Sequence, residues 1–468
     1  MESSVEVEKA FITSRIHYLT SDSCGYCKCQ KERSGGLRAA PDNAGVPEKP
    51  THITIGCQVE QMTCSQYDDF INRGFRRSGT FMYTGDMLRG CCRMYTIRTD
   101  LDHLKIIKEH RQVINRFKRA IGDETKTKGK FSLRSLIDAE KKSTRFHTRF
   151  EPSGFSKEKY ELYRKYQVRV HNDDPEDVTP KQFKRFLCET PFPEREVMGA
   201  KGEWDRLGNW VKDPQGKLQI GKKRIGPTHE CYYLDNKLIA ISVLDFLPTG
   251  LSSIYFIWDP DFAHLSLGTL SGLREIQMCQ ELELGYYYLG YYIDDCHKMR
   301  YKAKFGGEVL DLVNNAWVDL EKARPLMEGD SFFALGDPTQ ATQEPERVSS
   351  EPSIHWDKPI QNINEALYEK PETYAQAKKI STEVRRDHDT SEFELPDVLP
   401  GAMSMASLKK SLASAAPELS STLFIMSIGR WAAFPFETLP DVMKSYVIDF
   451  IRLFGYERLQ ETIMIVSA

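Results

Sequence analysis

The sequence predicts a mixed α/β (α+β) protein with a Cys-rich metal-binding domain at its N-terminus. Of the 468 residues, 40% are hydrophobic and 28% are charged, a composition typical of globular proteins rather than disordered chains. Seven of the eleven cysteines lie within the first 92 residues. Between residues 231 and 293 the sequence pattern predicts elements in the order β-β-β-α-β. Together these observations indicate two structured regions of different character.

The overall charge excludes a uniformly basic nucleic-acid-binding protein. Lys and Arg number 64 against 67 Asp and Glu, for a net charge of -3, so nucleic acid would have to bind a local basic face. No apolar run approaches the roughly 18 to 20 residues that cross a bilayer, and the first 30 residues resemble neither a secretory signal nor a transit peptide. We therefore expect a cytoplasmic or nuclear protein without a membrane partner, whose cysteines are thiols or metal ligands.

The chain is predicted to divide into five segments. Residues 105–149 contain fourteen Lys and Arg against five acids, and apolar side chains at three- and four-residue steps in the first half predict an amphipathic helix with a cationic face. Residues 331–399 are dominated by Pro, Glu, Gln, Ser and Thr, which favours a flexible linker. The predicted segments are a Cys-rich domain 1–102, a basic helix and linker 103–158, an α/β domain 159–330, a flexible linker 331–400 and a C-terminal extension 401–468.

Within the α/β domain, β-branched and aromatic residues predict strands at 167–171, 231–234, 238–245 and 252–259. A turn at Asp235-Asn236 separates the second and third of them. A long helix is predicted over 265–284, followed by a tyrosine-rich strand over 285–293. In the C-terminal extension, Asp441–Phe454 is predicted as a helix that stops at Gly455.

Four cysteines form a predicted metal site. Cys24 and Cys27 are a C-x-x-C knuckle, and Cys91 and Cys92 supply a second pair, so four thiolates are available for zinc or an iron-sulfur cluster. Neighbouring side chains of a strand point to opposite faces, so both members of the second pair can ligate only where the backbone bends. Two alternatives remain open, an unligated buried pair and a redox-active C-x-x-C.

Eight sequence blocks resemble the arginyl-tRNA-protein transferases. Three of them resemble the family's N-terminal domain, at 23–28, 73–79 and 91–98, and five resemble its C-terminal domain, at 166–168, 183–188, 243–248, 251–256 and 298–302. The resemblance covers roughly residues 13 to 330. Arg93 departs from the proline that the family usually has, and residues 30–58 depart from its pattern.

The resemblance implies a GNAT-like acyltransferase core that moves arginine from arginyl-tRNA to a protein N-terminus. It implies acceptors that begin with Asp, Glu or oxidised Cys, whose products are marked for ubiquitin-dependent degradation. The predicted turn before the long helix offers only Gly268 as a cradle for a pyrophosphate, which favours aminoacyl-tRNA over coenzyme A as donor. A non-catalytic zinc-binding RNA or adaptor protein and a coenzyme A-dependent acetyltransferase remain the alternatives.

An acidic acceptor requires fixed cations. If the run 298–302 is extended, its basic side chains project to one side, and a guanidinium can grip a carboxylate at two points. Other cations could come from the N-terminal domain, and a solvated basic face is the alternative for the whole set. The substrate-binding candidates are Arg300, Lys302, Lys298, Arg76, Arg77 and Arg98.

The catalytic candidates are Asp245, His229 and Tyr301. Asp245 interrupts an apolar strand and is the candidate acid for the donor guanidinium, with a fold-supporting ion pair as its alternative. His229 begins a predicted strand and is the best-placed imidazole, with a structural role equally open. The tyrosines of 286–292 could stack on the terminal adenine of tRNA, although a half-buried strand is the favoured interpretation. Residues 105–149 and 217–224 are the predicted contacts to tRNA phosphates.

Overall fold

The computed structural model describes residues 9–31, 51–123, 131–211, 223–341, 354–421, 423–427 and 431–465. They form a mixed α/β fold. The strands are β1 Phe11–Ser14, β2 His17–Ser21, β3 His52–Gln61, β4 Arg76–Ser78, β5 Phe81–Gly85, β6 Tyr95–Asp100, β7 Phe146–Pro152, β8 Gly226–Leu234, β9 Lys237–Phe246, β10 Gly250–Trp258, β11 Tyr286–Tyr292, β12 Glu308–Asp311, β13 Ala316–Asp319, β14 Leu335–Gly336, β15 Gln361–Asn362, β16 Leu423–Ser427, β17 Trp431–Pro435 and β18 Thr462–Ile465. The helices are α1 Cys64–Asn72, α2 Lys108–Ala120, α3 Arg134–Lys142, α4 Lys157–Tyr166, α5 Pro180–Phe183, α6 Glu194–Met198, α7 Lys201–Asn209, α8 Leu267–Glu281, α9 Leu320–Met327, α10 Asn364–Tyr368, α11 Pro371–Asp387, α12 Met405–Ser421, α13 Asp441–Phe454 and α14 Tyr456–Gln460.

The N-terminal sheet has the strand order β18-β1-β3-β5-β4, and β2 also pairs with β3. Its edge strand β18 comes from the far end of the chain and runs parallel to β1. Phe11 of β1 packs 5.1 Å from the ring of Phe70 in α1 and 6.2 Å from Phe454 in α13. The guanidinium of Arg73 donates to the carbonyls at the end of α13. The C-terminal segment is therefore part of the N-terminal core.

The central sheet has the strand order β13-β12-β6-β11-β10-β9-β8-β7. Strand β6 of the N-terminal half lies between β11 and β12, so the predicted boundary at residue 102 follows a strand that belongs to this sheet. Because β6 is hydrogen-bonded on both sides by later strands, the two halves of the chain are joined by backbone pairing.

Strands β10 and β11 pair in parallel over only three residues each, Gly250 to Ser252 against Tyr286 to Tyr288, and then diverge. The remaining neighbours in this sheet are antiparallel. A Cβ at Gly250 would lie 2.5 Å from the Tyr286 carbonyl oxygen, so the close start of the pair requires glycine. Strand β10 also carries a β-bulge between Ser253 and Tyr255. The divergence opens a gap between two central strands.

Most predicted elements are confirmed. Strands β8 to β11 coincide to within a residue or a few with the strands predicted from 231 to 293, and α8 occupies most of the predicted long helix. The basic amphipathic helix is α2, which buries Val113, Ile114 and Phe117. Helix α13 has the predicted bounds, and Gly455 follows it at φ 89°.

Two predictions about elements are wrong. The segment Gln167–His171 is helical, because the chain continues from α4 without a breaker until Asn172, whose left-handed φ of 60° ends it. The segment 331–400 is ordered where it is described: Phe333 stacks on Tyr95 at 5.1 Å, and α11 buries small side chains along one face. Small residues at helical spacing give little hydropathy signal, so the composition alone suggested a linker. None of the described helices is long and apolar enough to cross a membrane.

Candidate active site and metal centre

The four predicted metal ligands lie together. The sulfur atoms of Cys24, Cys27, Cys91 and Cys92 are all within 4.8 Å of one another. The Sγ atoms of Cys24 and Cys92 are 3.9 Å apart, close to the edge of about 3.8 Å expected for thiolates that share one tetrahedral zinc ion at about 2.3 Å. Hydrogen bonds from Cys91 and Cys92 lower the pKa of Cys24, which favours its thiolate. The residues therefore fit a metal ion.

Backbone bends place both cysteine pairs. Cys91 and Cys92 lie in a turn between β5 and β6, not in a strand, as their joint ligation requires. Asp86 holds this turn, because its carboxylate accepts from the backbone N–H groups of Leu88 and Arg89. In the knuckle, the N–H of Tyr26 points to the Cys24 sulfur at 3.4 Å. These local turns aim sulfurs from two distant segments at one point.

Next to this centre lies a cavity of about 740 Å³. The knuckle residues Gly25 and Tyr26 form part of its wall. The first turns of α8, the β-bulge of β10 and the diverging part of β11 contribute further parts of it. It therefore lies where the two halves of the chain meet, beside the four cysteines.

Two buried cations line the cavity. Arg76 in β4 donates to the carbonyls of Ile71 and Phe75, and its Nε has no hydrogen-bond partner in the described part of the chain. The Nζ of Lys302 donates to the Tyr291 carbonyl at 2.6 Å. Burial, with a smaller contribution from Arg76, lowers the pKa of Lys302 to about 7. The hydrogen-bond partners of both cations are backbone carbonyls, and neither forms a salt bridge among the described residues, so the wall carries uncompensated positive charge.

Part of the cavity wall is aromatic. The ring centroids of Tyr166 and Trp258 lie 5.6 Å apart, and those of Phe186 and Tyr255 lie 5.2 Å apart. This cluster was not predicted from the sequence, because its members come from three separate elements: α4, the helical turn 184–188 and β10. No carboxylate is found in the cavity wall among the described residues. The aromatic faces can attract a cation.

Asp245 does not line the cavity. It is fully buried and accepts two hydrogen bonds from Arg77, Nε to Oδ2 at 2.7 Å and Nη2 to Oδ1 at 2.6 Å. The predicted contact between Asp245 and the donor guanidinium is therefore replaced by the ion pair that was its alternative. Arg77 borders the cavity, but its guanidinium is committed to this pair. The charged residue in an apolar strand correctly indicated that Asp245 has a charged partner. That partner is Arg77 and not the substrate.

His229 is also a structural residue. Its fully buried ring lies between the Nζ of Lys159, 3.0 Å from Nδ1, and the Leu187 carbonyl, 2.8 Å from Nε2. Burial and Lys159 lower the pKa of His229 to about 3. The ring is thus neutral, with Nε2 donating to Leu187, and it does not reach the cavity. This corrects its assignment as a catalytic candidate.

The basic run 298–302 is not extended, since Arg300–Phe305 forms a 3-10 helix. Lys298 and Lys302, one turn apart, line the cavity together with Tyr301. Arg300 instead faces solvent and donates to the Asp294 carbonyl at 3.0 Å. The helical spacing therefore separates Arg300 from the two lysines with which it was grouped.

Arg98 lies outside the cavity as well. Its guanidinium is held between the rings of Tyr286, at 3.6 Å, and Trp317, at 3.9 Å, and it pairs with Glu308. The tyrosines of β11 are mostly core: the hydroxyl of Tyr288 donates to Asn72, and that of Tyr291 donates to the Gly74 carbonyl. Their hydrogen bonds support the favoured interpretation as strand residues.

The two predicted phosphate-binding segments differ. Helix α2 exposes Lys108, Arg111 and Arg119 on one side. Arg224 is buried, donates to four backbone carbonyls and stacks on Trp204. Most of 217–224 lies outside the described residues. The exposed cations described in these two segments therefore belong to 105–149 and include those of α2.

Comparison with known proteins decides the family. The family profile described as "Arginine-tRNA-protein transferase, N terminus" matches residues 22–112, and the one described as its C terminus matches residues 158–311. The chain is 36% identical to "Arginyl-tRNA--protein transferase 1" of Saccharomyces cerevisiae, over 97% of both chains. The chain belongs to the arginyl-tRNA-protein transferase family. The family and the enzyme class predicted from the sequence are thereby confirmed.

Two further relatives match in part. "Arginyl-tRNA--protein transferase 2" of Arabidopsis thaliana is 40% identical over 44% of this chain and 32% of its own. An "Aspartate/glutamate leucyltransferase" of Polynucleobacter asymbioticus is 27% identical over 56% of this chain and 84% of its own. The N-terminal profile spans all four clustered cysteines, and the C-terminal one spans α8, β10 and β11. The cavity thus lies between the two matched regions.

Proposed function

We propose that this chain transfers arginine from arginyl-tRNA to the N-terminal α-amine of proteins that begin with Asp, Glu or oxidised Cys. Membership of the arginyl-tRNA-protein transferase family supports arginylation. The choice of acceptor rests on the cavity. By the resemblance noted above, the products would be directed to ubiquitin-dependent degradation in the cytoplasm or nucleus.

The observation that carries the acceptor proposal is the pair of buried cations without counter-ions, Arg76 and Lys302. Buried charge is costly unless it is paired. The carboxylate of an N-terminal Asp or Glu, or the sulfinate or sulfonate of oxidised Cys, would supply the missing negative charge. Lys298 at the same wall would add attraction at longer range. An N-terminal Ala offers no such group.

The arginyl group of the donor fits the aromatic part of the cavity wall and the gap between β10 and β11. A cationic arginine side chain would lie against the aromatic wall formed by Tyr166, Phe186, Tyr255 and Trp258. The diverging β10 and β11 and the bulge in β10 support a GNAT-like core in which the ester carbonyl enters the gap between the strands. At the start of α8, Gly268 follows Ser266 and Leu267 and does not form a glycine-rich turn, which supports aminoacyl-tRNA over coenzyme A.

The tRNA body would contact helix α2. Its exposed cations lie on the helix that packs on α8, and Arg116 of α2 donates to the His264 carbonyl just before α8. A phosphate backbone on this face would direct the 3′ end toward the cavity. Binding would then weaken steeply as salt is raised.

The four cysteines would hold one metal centre, zinc or an iron-sulfur cluster. Thiolate sulfur is suited to both, and the 3.9 Å separation of two sulfur atoms supports a single tetrahedral zinc ion. Because Gly25 and Tyr26 line the cavity, the metal would fix the shape of its wall. Its expected chemistry there is structural, holding two chain segments together.

The test uses purified protein, arginyl-tRNA with labelled arginine, and peptides that begin with Asp, Glu, cysteine sulfonic acid or Ala. We expect transfer to the three acidic peptides and none to the Ala peptide or to an Asp peptide with an acetylated α-amine. Retained tRNA binding without transfer would instead support an adaptor. Acetylation of the same peptides by acetyl-coenzyme A would support an acetyltransferase.

A further inference from the structure

A buried carboxylic acid lies directly behind the cavity. Glu275 in α8 is fully buried, and no cation contacts it within the described ranges. Its neighbours Glu140 and Glu230 differ, since both pair with Arg274 at 2.6 Å. A buried acid without a counter-ion in a layer where the other acids are paired requires an explanation.

Three hydroxyl groups surround the Glu275 carboxyl. The Tyr287 hydroxyl of β11 donates to Oε2 at 2.6 Å, and the Ser242 hydroxyl of β9 donates to Oε1. The Ser253 hydroxyl of β10 lies close enough to lower the pKa of Glu275. Tyr287 and Ser253 line the cavity, whereas Ser242 does not. Ser253 lies at the bulge of β10, where the strands diverge. The carboxyl is thus one hydroxyl away from the cavity by two routes.

We propose that Glu275 takes up and returns the proton of the transfer reaction through the hydroxyls of Ser253 and Tyr287. This inference rests on the proposed function. The neutral acceptor amine bonds to the ester carbonyl carbon, and the bond from that carbon to the ribose oxygen breaks. One proton leaves the nitrogen through a hydroxyl to the Glu275 carboxylate, and one proton returns by the same network to the ribose oxygen. Glu275 is again a carboxylate at the end of the reaction. The products are the arginylated acceptor and the free tRNA.

The surroundings suit such a role. Burial raises the pKa of Glu275 to about 7, so both protonation states are accessible near neutral pH. The groups that face it are Glu230 from β8, Tyr232, Tyr287 and Tyr301, with Cys279 on its own helix. Glu230 is held by Arg274, and the tyrosine and thiol pKa values are raised. Glu275 is therefore the group among them that changes charge near pH 7.

The decisive variant is Glu275→Gln, which keeps the size of the side chain. We expect it to lower the single-turnover rate of arginine transfer to an Asp peptide by ~10²-fold or more at pH 7, with tRNA affinity and thermal melting close to wild type. Tyr232→Phe is the matched control, since it removes a buried hydroxyl of the same layer that does not border the cavity. Its rate should stay within about twofold of wild type.

A pH profile separates a proton-transfer role from a purely structural one. The wild-type rate should fall as pH drops through about 7, and Ser242→Ala should move this fall to higher pH, because the Ser242 hydrogen bond lowers the pKa of Glu275. The titration of the peptide α-amine is measured separately and is the same for every variant. An unchanged profile in Ser242→Ala, or a Glu275→Gln rate within about threefold of wild type, would overturn the proposal.

The double variant Ser253→Ala, Tyr287→Phe carries the test if Glu275→Gln does not fold. It cuts both routes and leaves the carboxyl in place, so the same ~10²-fold loss is expected, and a rate near wild type would refute the relay. Wild-type protein that transfers arginine to no peptide would refute the proposed function instead. The two failures are therefore distinct.

Discussion

Arg77 of the N-terminal sheet and Asp245 of the central sheet form a buried two-point ion pair, with N to O distances of 2.6 and 2.7 Å. Arg77 also lies over the ring of Phe192, 5.0 Å from its centroid. The pKa of Arg77 is raised, because the attraction of Asp245 outweighs the opposing effect of burial. The pair therefore fixes how the two sheets meet beside the cavity.

Breaking this pair should destabilise the protein. Asp245→Ala leaves the Arg77 guanidinium buried and uncompensated, which we expect to cost about 3 to 5 kcal/mol in the free energy of unfolding. The double variant Arg77→Met, Asp245→Leu should lose less stability than either of its two single variants. Urea unfolding measures the free energy of unfolding of the double variant and of both single variants. A double variant that is less stable than both single variants would contradict this account.

Removal of one cysteine ligand should release the metal. Elemental analysis of Cys92→Ser should show the metal lost, while Cys188→Ser, a half-buried thiol distant in sequence from the cluster, should keep it. Visible charge-transfer absorption in the wild type would identify an iron-sulfur cluster rather than zinc. Full metal content in Cys92→Ser would remove this residue from the ligand set.

Lys302→Met should weaken binding of the acceptor peptide. We expect KM for an Asp peptide to rise about 10-fold or more, since a charge-assisted hydrogen bond contributes about 1.5 to 3 kcal/mol. Arg300→Ala is the control, and its KM should stay within about twofold because Arg300 faces solvent. Affinity of the wild type should also fall as pH rises through about 7, where free Lys302 loses its charge, and Lys302→Met should lack this decline. Equal effects of the two variants on KM would refute the assignment.

His229 should make the free energy of unfolding depend on pH rather than take part in catalysis. Its folded pKa of about 3 lies below the usual value of about 6.5, so the unfolded chain binds an extra proton between these values. The contribution of neutral His229 to the free energy of unfolding is complete above about pH 6.5. It declines by about 1.4 kcal/mol per pH unit as pH falls toward 3. His229→Gln should flatten this decline in urea unfolding curves and retain arginine transfer at pH 7.5. Loss of transfer in a folded variant would restore its catalytic candidacy.

The exposed cations of α2 should set the salt dependence of tRNA binding. Changing Lys108, Arg111 and Arg119 to Gln should weaken binding at low salt and reduce the slope of log affinity against log salt by about one per residue. The control changes Lys378 and Lys379 of α11, which are exposed on another helix. An equal change in slope for both variants would show that α2 is not the binding face.

The sequence by itself determined the family, the four cysteines that cluster and the order of elements along the chain from β8 to β11. These features depend on local spacing and pattern, such as the C-x-x-C knuckle and the alternation of apolar residues, which are visible in one dimension. The helix Asp441–Phe454 and its stop at Gly455 were predicted for the same reason.

The roles of individual charged residues were decided only by the tertiary structure. Asp245, His229 and Arg98 have the side-chain chemistry of an active site, yet burial and nearby partners commit them to the core. Glu275 gave no signal in the sequence, since one acid in a predicted helix looks like any other. Whether a charge meets a partner, a hydroxyl or an open cavity depends on residues tens to hundreds of positions away, and the free-energy cost of burying charge makes that contact decisive.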